Sequence, residues 1–250
     1  MVLGLAVAIG SAPTVAVAKS DNGAPQATLM RTHVFEPAPP VFDAQGKPQP
    51  SVNCSPDDPT KYGTTPAYTG FTSTVVDRDA HFNASTAPTG VPNATSAIQA
   101  AFDVWVTEEP YAPAFSVVTA DPVTSATPNR HTDVLFGRVR GNAIAITYTW
   151  QWSDTGEYES DTVFNSKVAW AEISTEGVGA DGCNEDVVAY DFRNIATHEF
   201  GHIYGLGHPA GAQPAGAGDR YATMYTYGYT GETLKRDLAP SDQVGIQTLY

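Results

Sequence analysis

The eleven residues HEFGHIYGLGH, 198–208, constrain this chain more than any other stretch. Three of its six histidines fall there. Phe192, Ile195, Ala196, Phe200 and Ile203 repeat around them at the spacing of a helix with one apolar stripe. On that helix His198 and His202 stand at i and i+4, so both imidazoles project from one face about one turn apart. Gly205 tolerates a left-handed backbone, which ends the helix and turns the chain back. That turn brings His208 to the same point. Three neutral imidazoles around one point can grip a zinc ion and leave one coordination position open. An ion held that way acidifies water and polarises a carbonyl. Glu199 follows the first of these histidines directly, where it can take the water's proton and hand it to a leaving amine. The chemistry expected is metal-assisted hydrolysis of an amide bond.

The rest of the chain sets the frame. With 250 residues, 42% of them hydrophobic, it can bury one good-sized core. Its net charge of −14 is spread out, which argues against a nucleic-acid partner and suits solubility outside the cell. Residues 1–18 read as a signal peptide, with an apolar run from Val2 to Ile9 and AVA before Lys19, although no basic residue precedes the run. That run is too short to span a bilayer. Residues 19–61 are rich in Pro, Asp, Ser and Gln, and the stretch EPAPPVFDAQGKPQPSVNCSPDDPTKYG has neither helical nor strand periodicity, so 19–61 reads as a linker or pro-segment. Order is expected from Tyr62 onward, so 62–250 form the folded domain.

Within it, NATSAIQAAFDVWVTE is a helix with Ile98, Ala101, Phe102 and Trp105 on its core face, capped by Asn93 or Thr95. The segments HTDVLFGRV, GNAIAITYTWQW and SDTVFNSKVAWAEI read as strands. A last helix starts at Pro240 or Ser241 and packs Ile246, Leu249 and Tyr250 inward. Such an order of strands and helices predicts an α+β domain with a mixed sheet. His33, His81 and His131 are expected in surface or capping roles. The two cysteines, Cys54 and Cys183, suit one disulfide in a secreted protein, or two buried thiols.

HEFGHIYGLGH resembles, residue by residue, the extended zinc motif of the metzincin metalloproteases. Within that clan the chain is similar to the matrixins. NIATHEFGH, ATMY and SDQVGIQTLY are similar to their active helix, methionine turn and last helix, while AIQAAFDVW and TDVLFG resemble their first helix and a central strand. The resemblance covers roughly 62–250. It implies a zincin fold with a twisted mixed sheet of about five strands, three helices, and the zinc helix below a shallow cleft. His198, His202 and His208 would hold one catalytic Zn2+, Glu199 would be the general base, and Met224 would pack beneath the ligands. An edge strand in NAIAITY, with Ala143, Ile144 and Ala145, would bind a protein or peptide substrate in extended form by main-chain hydrogen bonds.

The departures are specific. PAGAQPAGAGDRYA makes a longer His208-to-Met224 connection than in animal matrixins, and Thr226 stands where a proline is expected. In SDTVFN, Val163 and Asn165 replace the ligands of a structural second zinc, so none is expected there; the acidic loops SDTGEYESD and GADGCNED admit Ca2+. NCSPDD is faintly similar to a pro-segment motif that places a cysteine on the zinc, so Cys54 reads either as bridged to Cys183 or as such a switch. The expected protein is a secreted, monomeric zinc endopeptidase with no membrane span. The alternative is a catalytically silent adhesion or binding module that keeps the zinc.

Overall fold

The computed structural model describes residues 25–38, 75–119, 123–175, 178, 182–184, 186–209 and 221–250. The signal-peptide stretch 1–18 and Cys54 lie outside the described residues. Among those that are described, no helix is long and apolar enough to cross a membrane.

A seven-stranded mixed sheet forms the frame. Its strands are β1 (Ala27–Pro37), β2 (Asp79–Phe82), β3 (Ser116–Val118), β4 (Thr132–Gly137), β5 (Ala145–Trp152), β6 (Tyr158–Asn165) and β9 (Tyr227–Gly228). Their order is β3-β2-β4-β6-β5-β1-β9. β3, β2, β4 and β6 run parallel, whereas β5 runs antiparallel to both β6 and β1. Two short strands, β7 (Trp170–Ala171) and β8 (Tyr190–Asp191), pair separately.

Among the described residues three α-helices complete the α+β architecture. In α1 (Ala94–Glu108) the expected face is buried, with Ile98, Ala101, Phe102 and Trp105 all inside. Phe102 stacks on Phe200 of α2 (Phe192–Ile203) with centroids 3.9 Å apart, and the Trp105 indole N–H donates to the Thr197 carbonyl at 2.9 Å. α1 and α2 therefore meet through an aromatic stack and a satisfied indole, the arrangement a buried tryptophan requires. α3 (Pro240–Leu249) opens on a proline, buries Ile246, and its following Tyr250 hydroxyl donates to the Tyr204 carbonyl at 3.2 Å.

Two expectations need correction. The sheet has seven strands rather than about five: β4, β5 and β6 fall on the segments read as strands, and β1 and β9 extend it past β5. β1 also lies inside 19–61, where no strand was expected. Its alternation is broken by a bulge between Leu29 and Arg31. The strand is held by its pairing with β5, a long-range contact that a local reading cannot see. In consequence Ala143, Ile144 and Ala145 do not flank an open edge. Phe35 pairs with Ala145 and Val34 with Ile146, so the chain covers that edge itself.

Candidate active site

The site is built on α2, whose residues are all buried except Arg193. Its start is fixed by Asp191, whose carboxylate accepts from the Asn194 N–H at 2.8 Å, the Ile173 N–H at 3.0 Å and the Arg236 Nε at 2.8 Å. An N-cap carboxylate paired with a guanidinium satisfies the first turn and the charge together. At the other end Gly205 has φ 91°, and the chain turns back as expected.

Three imidazoles converge there. His208 Nε2 lies 3.2 Å from the Nε2 of His198 and 3.2 Å from that of His202. The other ring nitrogens are committed: His198 Nδ1 donates to the Thr223 carbonyl at 2.6 Å, and His202 Nδ1 to the Leu206 carbonyl at 2.7 Å. Those bonds fix the tautomer, so the Nε2 atoms of His198 and His202 carry lone pairs aimed at one point. Such lone pairs repel unless a cation sits among them. Burial keeps the rings neutral: it pushes His208 down to about 4, and His198 and His202 well below the ordinary imidazole value. The donor set fits a zinc ion, and His198, His202 and His208 are grouped closely enough to hold one.

Glu199 is fully buried beside them. Its Oε2 accepts from the Thr147 hydroxyl at 2.5 Å, and that oxygen in turn lies 2.8 Å from the Thr162 hydroxyl. Oε1 has no protein partner among the described residues. Burial pushes this carboxyl up to about 8, against the opposing Thr147 bond. A cation at the imidazoles would pull it the other way.

Met224 is fully buried under α2. A Cβ at Gly201 would come within 2.3 Å of its sulfur and 2.8 Å of the Trp105 ring, so only glycine lets helix and sulfur meet. The Thr223 and Met224 N–H groups donate to the Asp242 carboxylate at 2.6 and 3.2 Å, which ties this turn to α3.

Other residues at the site were not foreseen. His33, expected in a surface or capping role, stacks on His202 with centroids 3.9 Å apart, and the Phe35 ring lies 4.2 Å from that of His198. Thr147 and Asp242 were not foreseen either; the signal for Thr147 was a pair of threonines, 147 and 149, on the same face of one strand. His81 and His131, also expected in surface or capping roles, share one carboxylate, that of Asp77. Cys183 is disulfide-bonded, and the only other cysteine in the sequence is Cys54.

Fold and site together define a zinc metalloendopeptidase. Residues 80–250 match the family described as Matrixin, and the chain belongs to that family. A comparison with curated proteins gives no match.

Proposed function

We propose that this matrixin is a secreted endopeptidase in which His198, His202 and His208 are the zinc ligands and Glu199 is the general base. One observation carries the reading: a buried carboxylate with one oxygen pinned by Thr147 and the other without a partner among the described residues stands next to three convergent imidazoles. When bound, zinc supplies a Lewis acid that acidifies water and polarises the scissile carbonyl. The chain's own residues do the rest. Glu199 takes the proton of the attacking water and delivers it to the leaving amine nitrogen. Thr147 holds Oε2 still, so that Oε1 faces the reacting atoms. Asp242 and Gly201 set the height of the turn and helix that carry the ligands. The extracellular setting rests on the apolar N-terminal run and the acidic charge.

The test is hydrolysis of casein by the full chain. Cleavage should vanish with a chelator, return with zinc, and be lost in Glu199→Ala while that variant still binds zinc. Casein left intact by a zinc-loaded, folded chain would overturn the reading. Recovery of the protein from the medium, starting near Lys19, tests the secretion.

A further inference from the structure

We propose that Asp77, His81 and His131 hold a second zinc ion, apart from the three-histidine centre. His81 Nε2 and His131 Nδ1 lie 3.0 and 2.8 Å from the same oxygen of Asp77, Oδ2, and the two ring centroids are 4.3 Å apart. The three donor atoms fall within 4.8 Å of one another, as those of His198, His202 and His208 do. The place is a different one. His81 stands on β2, three strand spacings from β5 and its Thr147, or about 14 Å. Nor does it coincide with the segment where a structural second zinc was weighed from the sequence. Val163 and Asn165 pair with Leu135 and Gly137 toward the end of β4, whereas His131 precedes its start.

The fold assembles this cluster from two directions. Ala80 and Phe82 belong to the main core, so His81 between them points to the opposite face of the sheet. Asp77 Oδ1 accepts from the Asp79 N–H at 3.0 Å, which turns Oδ2 toward the imidazoles. The chain before β4 crosses that same face. Val123 packs with Leu135 and Val163 there, and the Asn83 side-chain amide donates to the Val123 carbonyl at 2.7 Å. His131 then arrives through a clamped turn. The Glu159 carboxylate accepts from the Asn129 N–H and from the Arg130 N–H, each at 2.7 Å. The Asn129 side chain accepts from the His131 N–H at 2.8 Å. Between these bonds Arg130 is held at φ 71°, the one positive φ outside glycine among the described residues. A left-handed backbone strains a residue with a Cβ and persists only where its surroundings over-determine it. Here that strain aims the next ring at Asp77.

The donor set has the chemistry of a zinc site. A carboxylate oxygen accepts, so in the metal-free protein each facing nitrogen carries a hydrogen, and zinc takes the place of both. One carboxylate and two neutral imidazoles offset one of the ion's two charges and leave its fourth position to water. Both imidazoles line a polar cavity of about 420 Å³, together with Thr124, Ser125, Thr127 and Asn129. That cavity gives the ion a way in and the water a place.

Equilibrium dialysis of the full chain against zinc, followed by metal analysis, tests this. The wild type should hold two ions per molecule. His131→Ala, at an exposed ring, should hold one, and so should Asp77→Asn, which keeps the side chain's shape and removes its charge. His208→Ala should also hold one, and adding His131→Ala to it should leave none. Melting gives a second readout: zinc should raise the Tm of His208→Ala and leave that of the double variant unmoved. Two ions retained in His131→Ala, or a single wild-type ion that His131→Ala keeps, overturns the inference and spares the endopeptidase reading. A single wild-type ion that His131→Ala loses and His208→Ala retains upholds this site and takes zinc away from the other. No bound zinc at all sinks both.

Discussion

β6 and β1 flank β5 on opposite sides, both antiparallel to it, yet they are held very differently. Seven of the eight residues of β6 are buried, and β4 pairs with its other edge. In β1 only Phe35 of eleven residues is buried, and β9 covers only its last two. A strand locked by two neighbours and both faces is part of the core; one held by a single long ladder and one side chain is a docked guest. The difference separates what the fold needs from what the site holds.

Four experiments would sharpen or break that contrast, starting with the largest effect. Phe164→Ala, on β6, removes a ring packed among Phe136, Trp170 and Phe192 and should cost about 3–5 kcal/mol of global stability, measured by denaturant unfolding. A cost near zero would deny β6 its core role.

Asp161 on β6 should show its burial through pH. Burial first, and the Asp133 charge second, push its carboxyl up to about 9 from an ordinary 3.8. The folded state thus holds a proton that the unfolded chain releases. Its contribution is complete below pH 3.8 and is lost as pH rises toward 9, by at most ~1.4 kcal/mol per unit. Asp161→Asn keeps the shape without this loss, so its melting temperature relative to wild type should climb from pH 5 to pH 8. A gap that is flat or shrinks with pH would refute the burial argument.

Thr147 on β5, facing both flanking strands, should matter for rate more than for fold. Thr147→Val should lower kcat about tenfold through loss of an oriented carboxylate, with KM and zinc content little changed. An unchanged kcat would remove Thr147 from the machinery. Smallest in global terms, Phe35→Ala should strip exchange protection from β1 and leave β4 and β6 protected, with a global loss of only about 1 kcal/mol, because the strand can leave alone. Loss of protection throughout the sheet would show that β1 is core after all.

The same contrast explains what the sequence disclosed. α2 was legible because its ligands, apolar stripe and terminating Gly205 lie within fourteen residues, and helical period converts that spacing directly into geometry. The core faces of α1 and α3 followed for the same reason. β1 was illegible because its bulge spoils the alternation and its partner lies more than a hundred residues away. The role of His33 went with it, since a histidine in an apparent linker carries no signal of what it stacks on. Likewise Asp77, His81 and His131 come from two strand entries separated by α1, and no spacing rule connects them.

Gly201 leaves the helix one hydrogen thick where it crosses the Met224 sulfur. Even a methyl group there would prise α2 upward, and both imidazoles on its inner face would rise with it, away from the loop that brings His208. How finely three donors can be focused on one ion is thus decided by an atom that position 201 does not have.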